Sequence, residues 1–277
     1  MLRGILVGLD GTAFSDSAVS LGLRWAKATG ALLAGHTVID RPSLSVPTAV
    51  PGGSGFHRMF PDDKKIAEAK QRADELLAKF TGRCQEAGVT SRTVSELGDP
   101  ACAILSQAQR YDLIMIGLET RFKATLDGSP CDTVDRVLHE PPRPVVAVPA
   151  SLEEGTTTVI GYDGSLEAAR TLAAYVSTGL ASKYENVVVT IAEHFEEAAA
   201  TAERATAYLG LHGVTVKARP VETRLDPAAV LLDHASQFNA GLVVMGAFGH
   251  SGLRESFFGS TTRGVLRGSK VPVMLYH

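Results

Sequence analysis

The sequence predicts an α/β protein made of two tandem, open, doubly wound parallel sheets of five strands each. Three observations predict it. Short apolar runs alternate with longer amphipathic stretches, which is the pattern of βαβ units. The runs are nearly continuous Val, Ile and Leu, as in strands buried on both faces and covered by helices. The pattern then occurs twice within 277 residues, a length that suits two domains at about 100–200 residues each.

The repeat is explicit. ILVGLDGT from Ile5 returns as VIGYDGS from Val159, and DLIMIG from Asp112 returns as GLVVMG from Gly241. PVVAV from Pro144 returns as PVMLY from Pro272, and DPA from Asp99 returns at Asp226. In the first half strands are predicted at 4–9, 31–39, 90–96, 112–117 and 144–148, with helices at 15–29, 62–87, 99–110 and near 130–140. In the second half strands are predicted at 158–162, 186–192, 214–220, 241–246 and 271–276. The repeat offset is 153 residues at the first strand and 127 to 129 later on, so the first half carries about 25 extra residues. Residues 41–61 hold four prolines and three glycines, and are expected to form a loop or lid without regular structure. The halves are expected to span 1–150 and 156–277, meeting at a polar stretch over 150–158.

Composition narrows the function. A net charge of −3 gives no long-range attraction to nucleic acid or anionic lipid. The helix at 62–87 alternates acidic and basic residues, which describes a solvent face with i,i+4 pairs. Cys84, Cys102 and Cys131 are too few and too widely spaced for a disulfide framework or a metal knuckle, so a reducing cytoplasm is expected. The first apolar run is too short for a signal peptide and ends on Asp10, and no run approaches a membrane span. The eight histidines include no HExxH, and neither a P-loop lysine motif nor a G-x-G-x-x-G after a strand is present.

In doubly wound sheets ligands sit beyond the carboxyl ends of strands, where the strand order reverses. Asp10 and Asp163 end the first strands there, and Gly117 and Gly246 the fourth. From Gly246 the chain reads GAFGHSGLRESFFGSTTR, a G-x2-G-x9-G-S spacing through Gly249, Gly259 and Ser260, with a helical pattern following. Glycines admit a phosphate chain to the backbone, and a helix opening at Gly259, Ser260 and Thr261 offers free N–H groups and a positive dipole end. The plainer reading is a glycine turn with Ser260 as an N-cap. His250 and Arg254 can touch phosphate or simply face solvent. Phe257 and Phe258 suit anchoring of the loop better than stacking on a base.

With IGYDGS, VVMGAFGHSGLRESFFGSTTRGVL and VPVMLY on the page, the chain resembles the universal stress protein family over both halves, and its ATP-binding branch in the second. The resemblance implies the adenine-nucleotide alpha hydrolase-like fold and one ATP per chain, which can carry Mg2+. It places Asp163 and Gly164 at the adenosine end and Gly246, Gly249, Gly259, Ser260 and Thr261 along the phosphates. The second-strand residue that meets adenine through its backbone is Ile191 or Thr190. Asp163 can equally make an Asx turn before the helix near Leu166, and the two roles are compatible. Members with one domain pair through their last strands, so strands 144–148 and 271–276 are expected to make an intrachain pseudo-dimer. A homodimer of the whole chain and an unidentified protein partner are also expected. The implied role is a nucleotide-dependent stress-response regulator, with a slow ATPase or phosphotransferase, or a scaffold without nucleotide, as alternatives.

The first half departs from this pattern. Cys131 and Asp132 stand where Gly259 and Ser260 stand, and Arg121 stands opposite Gly249. An acid at the helix N-terminus repels phosphate, so the first half is expected to bind no ATP in this way.

Overall fold

The computed structural model describes residues 1–40, 44–49, 57–120, 122, 133–139, 141–247 and 259–277. The first half runs β1 (Gly4–Gly8), α1 (Ala13–Thr29), β2 (Leu32–Asp40), β3 (Ser45–Ala49), β4 (His57–Pro61), α2 (Asp63–Ala87), β5 (Ser91–Gly98), α3 (Pro100–Ala108), β6 (Leu113–Gly117), α4 (Thr133–His139) and β7 (Val145–Val148). The second runs β8 (Thr157–Gly161), α5 (Leu166–Thr178), β9 (Glu185–Ala192), α6 (Phe195–Leu211), β10 (Val216–Glu222), α7 (Pro227–Gln237), β11 (Ala240–Gly246), α8 (Ser260–Gly268) and β12 (Val273–Tyr276).

All ten strands predicted from the repeat form, and they join into one sheet of order β10-β9-β8-β11-β12-β7-β6-β1-β2-β5. Within each half every pairing of this sheet is parallel. The halves meet at an antiparallel seam, with Val273 opposite Ala147, Met274 opposite Val146 and Leu275 opposite Val145. This is the contact expected of strands 144–148 and 271–276. It covers two apolar edges that would otherwise be open templates for pairing.

Two core layers flank the sheet, and both run through the two halves. One packs α1, α2, α5 and α6 around Trp25, Phe80 and Tyr175. The other packs α3, α4, α7 and α8 around Ile104, Val137, Leu231 and Val265. Polar contacts tie the halves as well. Trp25 Nε1 donates to the Tyr184 hydroxyl at 3.0 Å, and Leu2 N to the Thr178 carbonyl at 3.0 Å.

One expectation is corrected. Residues 41–61 are not irregular throughout, because β3 and β4 form an antiparallel hairpin with Ser45 opposite Pro61 and Pro47 opposite Met59. A two-stranded ribbon leaves each strand one unpaired side, so the missing N–H of proline is tolerated. Leu44, buried beside Ile39, Ala69 and Ala73, anchors its base, and Asp62 N donates back to the Leu44 carbonyl at 3.1 Å.

Candidate functional site

Strand order reverses between β8 and β11 in the second half, and between β1 and β6 in the first. Beyond β8 and β11 lies a cavity of about 440 Å³. Asp163, Ile191, Gly246, Gly259, Ser260 and Thr261 line it, together with Tyr162, Val189, Pro227, Leu231, Met245 and Thr262. Gly164 stands outside this wall, and Gly249 lies outside the described residues, as do His250, Arg254, Phe257 and Phe258.

Each element positions its residue for a local reason. Asp163 Oδ1 accepts from Ser165 N at 2.9 Å, the Asx turn anticipated from sequence, and Ser165 caps α5 by accepting from Ala168 N at 3.1 Å. Gly164 carries the turn at φ 79°, where a side chain is strained, with Arg204 behind it. Gly246 has a packing role that its phosphate reading did not foresee. A Cβ there would stand 2.6 Å from Ala168 N and 2.8 Å from the Glu167 carbonyl carbon, so glycine lets α5 close onto the end of β11.

Strand register distinguishes the backbones of Thr190 and Ile191. Gly161 pairs Val189, and Tyr162 N donates to the Val189 carbonyl at 3.1 Å, so odd-numbered backbone groups of β9 turn toward β8. Ile191 is the next odd residue and lies past the last β8 pair. Its N–H and C=O therefore face the same opening, a donor and an acceptor side by side. Thr190 turns the other way and is buried.

The far wall is the start of α8. Its N-cap is Gly259, with no side-chain cap, and Ser260 is the first helical residue, so the plainer reading of Ser260 as N-cap does not hold. By contrast α1, α2, α3, α5 and α7 are each capped by a side-chain oxygen, from Thr12, Asp62, Asp99, Ser165 and Asp226, while α6 shares with α8 the lack of one. The start of α8 thus presents backbone donors and the dipole's positive end, with the hydroxyl residues Ser260 and Thr261 beside them. Gly264 lets this helix close on α7, since a Cβ there would meet Ala228 Cβ at 2.6 Å. Asp163 is the one carboxylate among the described lining residues. Among the described residues no group of three or more His, Cys, Asp or Glu is placed to hold a metal ion.

The same place in the first half is built differently. Gly8 pairs His36 as Gly161 pairs Val189, so a histidine replaces a cavity-lining valine. His36 is fully buried, its Nε2 3.5 Å from Glu96 Oε2, and burial pushes its pKa below the ordinary value despite that carboxylate. Phe122, itself buried, lies over Gly8, where a Cβ would stand 3.3 Å from the ring. Arg136, at the position of Gly264, holds the α3 cap Asp99 with two bonds of 2.7 and 2.9 Å. That pair pulls the Asp99 carboxyl down to about 2. Cys131 and Asp132 lie outside the described residues. Sequence reasoning missed Phe122 and His36. Only the register of β1 against β2 shows that His36 stands where Val189 does.

The fold agrees with known proteins. Universal stress protein Slr1230 of Synechocystis is 26% identical over 208 residues, covering 74% of this chain and 72% of that protein. A universal stress protein from Archaeoglobus fulgidus superposes with a TM-score of 0.74 at 22% identity, covering 99% of this chain and 96% of the other. The functionally unknown protein PA1789 from Pseudomonas aeruginosa gives a TM-score of 0.60 at 16% identity, over 99% and 92% of the two chains. A sequence model of the Universal stress protein family matches residues 1–149 and again 156–277, so this chain belongs to that family and carries its unit twice.

Proposed function

We propose that the second half binds one ATP and that the chain is a cytoplasmic, nucleotide-dependent stress-response regulator. The observation that carries this reading is the α8 N-terminus. It lacks a side-chain cap and lines, with Asp163 and the Ile191 backbone, one cavity at the switch point. The paired N–H and C=O of Ile191 suit the donor–acceptor edge of adenine, Asp163 suits ribose hydroxyls, and Gly259, Ser260 and Thr261 suit phosphate oxygens. Magnesium would arrive on the triphosphate. On this reading the first half is a degenerate copy, with the Phe122 ring over Gly8 and His36 in place of Val189.

Calorimetric titration of the purified chain with ATP tests this reading, and a stoichiometry near one is expected. Absence of binding overturns it, and a stoichiometry of two overturns the one-site form. Phosphate release at saturating ATP separates a regulator from an ATPase. A regulator turns over negligibly, since the described lining residues offer hydroxyls and one carboxylate but no cationic clamp.

A further inference from the structure

The joined sheet ends on β5 in the first half and on β10 in the second, matching strands of the repeat. An edge strand offers a row of unpaired N–H and C=O groups to any other chain. Register shows which groups these are. Leu33 N donates to the Thr90 carbonyl at 3.0 Å, so even-numbered backbone groups of β5 turn toward β2 and odd-numbered ones turn outward. Ser91, Thr93, Ser95 and Leu97 make that outward row, and the last three are exposed. Thr223 N donates to the Ala192 carbonyl at 3.0 Å, so the outward row of β10 is Val216, Ala218, Pro220 and Glu222.

The two edges are guarded differently. Gly8 pairs His36, which pairs Val94, while Gly161 pairs Val189, which pairs Arg219. Ser95 therefore stands where Pro220 stands. Pro220 removes a donor from the middle of the β10 row, and exposed Lys217 and Arg219 lie on the same strand, both devices that discourage edge pairing. β5 runs eight residues with neither proline nor lysine. The β3–β4 hairpin forms a sheet of its own and does not extend this edge.

β5 is also complementary to itself. Two copies set antiparallel about Val94 bring outward residues against outward residues, Thr93 opposite Ser95 and Ser91 opposite Leu97, and each such pair exchanges both backbone bonds. The same register puts Arg92 opposite Glu96 twice, on one face and in the closer kind of cross-strand pair. Arg92 is exposed, and Glu96 accepts from Gln107 Nε2 and lies 3.5 Å from the His36 ring. Neither has an ion pair with a Lys, Arg, Asp or Glu among the described residues. A slip of one residue would set outward groups against inward ones, and a slip of two would break both charge pairs.

We propose that this edge is a self-association surface, on which a second copy of the chain lays its own β5 antiparallel and continues the sheet across a two-fold axis at Val94. Sedimentation velocity over a dilution series should show the purified chain dividing between one-chain and two-chain species. Ser95→Pro, which installs the guard of the other edge, should abolish the two-chain species while its melting temperature reports folding. Arg92→Glu sets acid against acid at both ends of the pair and should weaken association about tenfold or more. Val94→Cys, in a Cys102→Ser and Cys131→Ser background, reads the register. Oxidised glutathione should convert it to a disulfide-linked pair, because directly opposed residues of the closer kind have Cα atoms about 4.5 Å apart. A chain that stays single at every concentration overturns the proposal, as does a two-chain species undiminished in folded Ser95→Pro. If Ser95→Pro does not fold, Arg92→Glu decides, and unchanged association in that variant overturns the proposal equally.

Discussion

The two halves share strand order, turn chemistry and helix layers, yet they differ at one place beyond the first and fourth strands. In the second half that place is walled by small or apolar residues, Gly161, Val189 and Leu231, and by a helix start capped only by Gly259. In the first half Phe122 and His36 occupy the matching ground. The proposed difference in ligand therefore does not lie in the backbone scaffold, because the same turn and the same exposed strand-end pair appear twice. What differs is the filling of the space beside them and the charge at one helix start. On the proposed reading, a repeat duplicated in a chain keeps its architecture and loses a ligand through a few side chains.

The comparison can be broken most severely at Gly259. Gly259→Asp makes the N-cap of α8 acidic, a change that helices favour, so the fold should hold. A carboxylate about 4 Å from a phosphate costs about 4 kcal/mol at an effective dielectric of 20, roughly a thousandfold in affinity. Titration with ATP should show no measurable binding in a chain that melts normally, and retained affinity would remove the phosphate role of this helix.

Phe122→Ala tests the plug. Its truncation should cost about 3 kcal/mol of stability by leaving a cavity over Gly8, read by chemical denaturation. It should not create a second ATP site, because the acidic surroundings remain. A stoichiometry of two in this variant would show that the ring alone distinguishes the halves.

The carboxylates at the first strand ends sharpen the contrast. Asp163→Ala should weaken ATP about tenfold, or about 1.4 kcal/mol, whereas Asp10→Ala should leave it unchanged. Equal losses would mean that both halves hold ATP.

The smallest effect is the pH dependence at His36. Burial keeps its folded pKa below 6.5, whereas the unfolded chain binds a proton there below about 6.5. Stability should therefore fall as pH drops from about 6.5, at up to about 1.4 kcal/mol per unit until the folded pKa is reached. His36→Val, which installs the second half's residue, should flatten the melting temperature between pH 7 and 5.

Much of this was legible in the sequence. Apolar runs such as LIMIG and LVVMG read as buried parallel strands, and the repeat placed Asp163, Gly246, Gly259 and Ser260 at one end of the sheet. Their grouping around one cavity follows from the strand order that the repeat predicts. Other features were not legible because they depend on distant partners. Gly246 is constrained by the approach of α5, which no local spacing reveals. Phe122 stands alone among polar neighbours in sequence, and only the path of the chain after β6 brings its ring over Gly8. The choice between Thr190 and Ile191 needed the register of β8 against β9, a single-residue matter that apolar pattern leaves open. The hairpin of β3 and β4 was hidden by proline content, which marks breaks in central strands but not in an isolated ribbon.

The antiparallel seam of β7 and β12 has one more consequence. In a pair of separate chains, joining of the two sheets is an equilibrium, and dilution pulls it apart. Here both edges belong to one chain, so each meets its mate at a fixed local concentration that the linker sets and the cell does not. The joined sheet should persist at any expression level. Swings in protein abundance would change how many copies exist without changing what each copy is.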